Sequence, residues 1–325
     1  MKCNVLLSSA GRRVELLDLL RETARNLDID PWVIALDAGD RTPAGILADQ
    51  LVRVPRADDP SYPAALEDIA RQHAPALLVP TIDPELPVLA RMRPRLAELG
   101  VHTLISSAEA VRICGDKSTT AAHLAAHRVP HPRSLDGTAA LEAADELGYP
   151  VIVKPRRGSS SVGVAEVADP RALRRSLRTD PDAWLVQSRC SGPEHTVDVW
   201  VDRTDEVRSV VARRRLAVRG GEVSQGRTED RRDVCEVAAA AVQTLPGAYG
   251  PLTVQVMAGD AGPEVIEINA RLGGGFPLAY AAGAQTLRWG MQDALGIPND
   301  PPAFQPRAGV TMLRYDRSVF VEAPR

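Results

Sequence analysis

The chain has 325 residues, which suits two or three packed lobes better than one simple core. A hydrophobic content of 44%, a charged content of 25% and a net charge of −3 are ordinary for a globular protein and give no electrostatic reason to expect nucleic acid as a partner. No apolar run approaches a membrane span and no signal-peptide pattern is seen; four scattered cysteines (Cys3, Cys114, Cys190, Cys235) without metal spacing read as reduced thiols of a cytoplasmic protein.

Residues 5–7 form a short apolar strand, followed by Ser8-Ser9-Ala10-Gly11 and a helix carrying Val14, Leu16, Leu17, Leu19 and Leu20. Strands at 32–36 and 52–54, a helix at 62–73, a strand at 77–79, a helix to about Leu99 and a strand at 101–105 follow. This alternation predicts a Rossmann-like α/β domain over residues 1–105, a parallel sheet with helices on both faces. Ligands of such sheets bind beyond the carboxyl ends of the strands, where residues 9–13, Asp37 and residues 81–85 fall. Asp83 and Glu85 suit either a substrate amine or a helix N-terminus, where acids are favoured by the macrodipole.

From Ser106 the pattern changes. Helices at 108–113 and 117–126 lead to a small lobe over residues 106–186, with strands at 151–154, 164–167 and 184–187. A larger α+β lobe over residues 187–325 follows. Its expected strands are 196–201, 208–213, 253–257, 264–269 and 309–313, with a polar Gly-rich loop at 220–233 and a helix at 234–244. His123 and His127, four residues apart, read as a helix face rather than a zinc pair.

Only three of the thirty-nine basic side chains are lysines, Lys2, Lys117 and Lys154. In a chain that uses arginine almost everywhere, a retained lysine suggests a site where a thin ammonium fits and a planar guanidinium does not. Lys154 ends a strand and is followed by Gly158, Ser159, Ser160, Ser161 and Gly163. Such small residues let backbone N–H groups approach phosphate oxygens, and they also make an ordinary hairpin. Gln187, Cys190 and Glu194 lie on a strand, an extended hinge and a carboxylate position suited to a base edge and ribose hydroxyls; an exposed turn glutamate accounts for Glu194 equally. Glu267, Asn269 and Arg271 alternate on one strand and so share a face, with Gln255 on the preceding strand. These hard oxygen donors suit Mg²⁺ or Mn²⁺ bridging phosphates. Arg213 and Arg215 also share a face, either toward a reacting phosphate or toward solvent. Gly273-Gly274-Gly275 offers N–H groups to a carboxylate.

These constellations, in this order, resemble the ATP-grasp superfamily, in the branch of carbamoyl phosphate synthase large-subunit halves, biotin carboxylase and the pyrrolysine-pathway amide ligase. The resemblance implies a two-lobed ATP-grasp fold after the Rossmann-like domain. It implies ATP with Mg²⁺ or Mn²⁺ as cofactors. Lys117 and Lys154, under the lid of residues 157–163, would hold phosphates; Gln187 and the backbone at Cys190 would meet adenine, and Glu194 the ribose. Gln255, Glu267 and Asn269 would carry metal, and Arg271, with Arg213 or Arg215, would face the transferring phosphoryl group. The expected reaction joins a small-molecule carboxylate to an amine through an acyl phosphate, with a homodimer as a common arrangement. Bicarbonate activation through carboxyphosphate and non-catalytic nucleotide binding are the competing readings.

Overall fold

A computed structural model describes residues 1–158, 162–299 and 305–321. The alternating N-terminal pattern folds as β1 (Lys2–Leu7), α1 (Val14–Arg25), β2 (Asp30–Asp37), α2 (Pro43–Leu47), β3 (Gln50–Arg53), α3 (Tyr62–His73), β4 (Leu77–Val79), α4 (Leu86–Glu98) and β5 (His102–Thr103). The five strands are parallel in the order β3-β2-β1-β4-β5. The order reverses between β1 and β4, which leaves a crevice beyond their carboxyl ends. Glu85 fills it. Its carboxylate accepts hydrogen bonds from the hydroxyls of Ser8 and Ser9 and from the backbone N–H groups of Thr81 (2.7 Å) and Ile82 (3.1 Å). Burial holds this carboxyl above its usual range. Glu85 therefore clamps the loops after β1 and β4 together, and is not available to a substrate amine.

The chain then forms α5 (Ala108–Cys114) and α6 (Lys117–Ala126), whose N-termini are capped by the side chains of Ser107 and Asp116. Next come β6 (Ser134–Asp136), α7 (Gly137–Ala143), β7 (Val151–Pro155), β8 (Ala165–Val167), α8 (Pro170–Ser176) and β9 (Trp184–Ser188). Their strands pair antiparallel in the order β6-β9-β7-β8. This small sheet packs its own core, built from Val151, Val153, Val186 and Leu173 with α7 residues Ala140 and Leu141.

The last lobe comprises β10 (Glu194–Val201), β11 (Val207–Arg219), β12 (Glu222–Thr228), α9 (Arg232–Gln243), β13 (Gly250–Gly259), β14 (Gly262–Asn269), α10 (Phe276–Ala281), α11 (Thr286–Leu295) and β15 (Thr311–Leu313). Its six strands run antiparallel in the order β14-β13-β10-β11-β12-β15. Residues 220–233 are thus not the loop expected from their polarity. Gly220 and Gly221, at φ +58° and +79°, turn the chain so that β12 pairs back along β11. Gly-Gly supplies the positive φ that a two-residue hairpin needs, and the polar residues of β12 occupy a solvated face.

One core runs from α3 and α4 (Leu66, Leu89, Leu96) into the large sheet and α9 (Val199, Val242, Val254). A second joins α1 to α10 and α11 through Leu17, Phe276, Leu287 and Trp289. The N-terminal domain and the large lobe are therefore packed as one body. No helix among the described residues is long and apolar enough to cross a membrane.

Candidate functional site

A cleft of about 380 Å³ opens between the small sheet and the large one. Its floor is a polar row running across four strands in register. Glu267 on β14 lies opposite Gln255 on β13, Gln255 opposite Thr196 on β10, and Thr196 opposite Arg213 on β11. The neighbouring row contains Asn269, Thr253 and Asp198. Period-two alternation brings these side chains to one face, while Val254 and Ile268 enter the core behind them.

The pairing of β13 with β14 slips by one residue beside this row. Gln255 faces Glu267 and Val256 faces Val265, so Ile266 has no partner on β13. A bulge of this kind re-aims the backbone. The Ile266 carbonyl accepts a hydrogen bond from Lys154 Nζ at 3.2 Å, which fixes the lysine from β7 over the metal-type donors of β14. Lys154 is only 6% exposed. Desolvation brings its pKa down to about 8, against the opposing pull of Glu267. Lys117, from the start of α6, stands 3.7 Å from Glu267 Oε1 and donates to the carbonyl of Gly158 at 2.7 Å. Burial pushes the Glu267 carboxyl up, despite both lysines and Arg271. Desolvation thus outweighs attraction at both ends of this cluster, which leaves it short of polar partners.

The donor set fits a hard divalent cation. Among the described residues, the side chains of Glu267 and Asn269 make no hydrogen bond, and Glu267 is met only by the Lys117 ammonium at 3.7 Å. Gln255 spends its amide N–H on Glu194 at 2.8 Å and keeps its carbonyl oxygen free.

Three arginines are held by carboxylates. Arg271 donates through Nε (2.8 Å) and Nη2 to Asp83 of the N-terminal domain, a bidentate pair linking residues 188 positions apart. Arg215 donates to Glu194. Arg213, 2% exposed, forms a fork with Asp198 on the adjacent strand. Removing Asp198 would leave a buried guanidinium unpaired. Asp198→Ala is expected to lower unfolding free energy by about 3–5 kcal/mol, read from denaturant titration; a loss comparable to an exposed ion pair would contradict the buried fork. Gly275 adjoins this fork: a Cβ there would stand 2.2 Å from Arg213 Nη1.

At the other end, Gln187 donates to Ser134 Oγ at 2.8 Å and is buried. The hinge residues Arg189 and Cys190 line the cleft and make no backbone hydrogen bond among the described residues. The Cys190 thiol is pushed up to about 12, chiefly by burial and then by Glu264, so it is no nucleophile.

The structure therefore brings Lys117, Lys154, Gly158, Gln187, Cys190, Glu194, Arg213, Arg215, Gln255, Glu267, Asn269 and Arg271 to one cleft. Gly163 does not line it; its φ of +78° places it against the Pro155 ring. Ser159, Ser160 and Ser161 lie outside the described residues. His127 caps α6 and donates from Nδ1 to the His123 carbonyl at 2.9 Å, and there is no metal grouping among the described residues. Sequence reasoning did not single out Asp198, although its alternation with Glu194 and Thr196 was a usable signal. It also did not find Glu222, which β12 brings to the cleft rim 3.7 Å from Arg13.

A parallel-sheet domain followed by two lobes closing on a charged cleft defines the ATP-grasp architecture. The L-amino acid ligase from Bacillus licheniformis superposes with a TM-score of 0.71 over 95% of this chain and 79% of its own, at 19% identity. The sequence matches the family models described as ATP-grasp domain, over residues 114–275, and PylC-like N-terminal domain, over residues 5–105. The chain belongs to the ATP-grasp family. The formate-dependent phosphoribosylglycinamide formyltransferase of Synechococcus sp. (strain RCC307) is 30% identical over 150 residues, 44% of this chain and 36% of that protein. The carbamoyl phosphate synthase large chain of Rubrobacter xylanophilus is 24% identical over 320 residues, 87% of this chain and 30% of that protein. The chain thus spans only about a third of the length of these curated relatives.

Proposed function

We propose that the protein is an ATP-dependent carboxylate–amine ligase. The observation that carries this reading is the convergence of Lys154, Lys117 and Arg271 on Glu267 and Asn269, two oxygen donors whose side chains make no hydrogen bond among the described residues. Phosphoryl transfer asks for positioning and for charge neutralisation in a dry site, and this cluster offers both.

In this reading the open hinge at Cys190 and the Gln187 side chain hold adenine, and Glu194, fixed by Arg215 and Gln255, holds the ribose. Lys117 and Lys154 contact phosphates. Gln255, Glu267 and Asn269 hold Mg²⁺, which when bound neutralises phosphate charge. A carboxylate oxygen of the substrate attacks the γ-phosphorus, and the bond from that phosphorus to ADP breaks. Arg271, aligned by Asp83, and Arg213, aligned by Asp198, face the developing charge. The amine then attacks the acyl carbon, phosphate leaves, and the nitrogen loses its proton to solvent or base. Arg215 is paired with Glu194 at the ribose end, so of Arg213 and Arg215 it is Arg213 that serves the reacting end.

An ADP-release screen over carboxylates with and without amines tests the reading. ADP formation that requires both a carboxylate and an amine is expected. Release with bicarbonate alone would move the assignment to carboxyphosphate chemistry, and none with any mixture would sink it.

A further inference from the structure

Arg213, Arg215 and Arg271 each have a carboxylate in hydrogen-bond contact, but Arg13 does not. Arg13 lines the same cleft from the loop before α1. Its nearest carboxylate oxygen is Glu222 Oε1 at 3.7 Å, and Glu222 is shared with Arg314 at 3.5 Å. The Arg13 guanidinium makes no hydrogen bond among the described residues, and its side chain is only 22% exposed. Burial, and after it the fields of Arg271 and Arg314, act against its charge, with Glu222 as the one opposing acid.

Its position is specific. A Cβ on Gly274 would stand 2.8 Å from Arg13 Nη1, and a Cβ on Gly275 would stand 2.2 Å from Arg213 Nη1. Two guanidinium groups therefore press against consecutive residues of one turn, whose α-carbons are about 3.8 Å apart. One is neutralised by Asp198. The other is a partly buried cation facing the cleft with hydrogen-bond capacity unspent, and such a group binds an anion at little desolvation cost to itself.

We propose that Arg13 is a specificity-determining residue that holds a second anionic group of the substrate. The substrate is then a di-acid: a dicarboxylate, an acidic amino acid or a phosphorylated carboxylic acid. This rests on the carboxylate-activating reading above. One carboxylate is activated beside Arg271 and Arg213, and the second anion is anchored by Arg13.

The test is direct binding to the full chain without nucleotide, by calorimetry, with acetate, succinate, L-aspartate and 3-phosphoglycerate as probes. At least one di-acid is expected to bind about ten-fold or more tighter than acetate, the value of a charge-assisted contact. Whether succinate or 3-phosphoglycerate gains more identifies the anion as carboxylate or phosphate. Arg13→Gln should abolish the preference, Arg13→Lys should restore part of it, and ATP affinity should be unchanged in both. Equal binding of acetate and all di-acids by the unmodified protein, or an undiminished preference in Arg13→Gln, would overturn the proposal. If Arg13→Gln does not fold, Arg13→Lys carries the comparison through a weaker preference at unchanged ATP affinity. A preference lost in Arg13→Gln, without ADP release from any carboxylate and amine, would uphold Arg13 and overturn the ligase reading.

Discussion

Replacing Lys154 by arginine is expected to lower kcat/KM for ATP nearly as far as replacing it by methionine, by about 100-fold or more, the scale of losing one fixed charge at a phosphoryl-transfer centre. Lys154 is buried, its ammonium is seated on the Ile266 carbonyl, and Glu267 and Lys117 occupy the space around it. A guanidinium is broader and planar, and its nitrogens would have to displace that carbonyl contact or Glu267. Arginine restoring the unmodified rate and ATP affinity would show that the site asks only for positive charge.

The same lysine gives a pH signature. Its pKa in the free protein is about 8, against an ordinary 10.5. Between those values the folded protein binds fewer protons than the unfolded chain. Its contribution is therefore a destabilisation, fully present below pH 8 and fading as pH rises toward 10.5. A bound phosphate favours the ammonium, so ATP binding above pH 8 should take up a proton. The binding enthalpy should then depend on the buffer's ionisation enthalpy at pH 9 and not at pH 6.5, and Lys154→Met should remove that dependence. Buffer-independent enthalpies at both pH values would remove Lys154 from the phosphate site.

Glu267→Gln is expected to abolish turnover, by about 100-fold or more, while leaving the fold intact. The glutamine keeps the shape and one carbonyl oxygen but withdraws the only carboxylate among the three proposed metal donors. It also leaves Lys117 and Lys154 facing each other without their shared counter-charge, so the Lys154 ammonium should be held still less firmly. Loss of Mg²⁺-dependent ATP affinity with an unchanged melting temperature is the expected pair of readings. Near-normal ADP formation at saturating Mg²⁺ would exclude Glu267 as a metal donor.

Much of the floor of the site was legible because alternation is a short-range signal. Glu267 and Asn269 could be placed on one face from spacing alone, whereas Arg271 lies beyond the end of β14 at Asn269 and reaches the cleft without strand alternation. Helix α3 appears within the bounds its apolar period predicts. What spacing cannot show is pairing across distance. The Asp83–Arg271 fork joins two domains, and the slip that frees the Ile266 carbonyl depends on how β13 meets β14. Helix α11 was hidden for a different reason. Leu287, Trp289, Gly290, Met291, Gln292 and Asp293 are all buried, so it has little polar face to set the period. Strand β12 was obscured by its polarity, although Gly220-Gly221 marked the turn.

The packing of the N-terminal domain into the large lobe also bears on how such a protein can diversify. Asp83 orients Arg271, Arg13 faces the cleft, and α1 shares its apolar core with α10 and α11. The first hundred residues are thus no exchangeable cassette. Recombination that imported a foreign parallel-sheet domain at Ser106 would carry over Lys117, Lys154 and Glu267 of the cleft. It would lose the acid that aims Arg271 and the apolar surface that α10 and α11 cover. Lineages of this architecture are therefore expected to inherit both segments as a unit, and to alter substrate choice by point changes in the loop before α1 and in the Gly273–Gly275 turn rather than by domain shuffling.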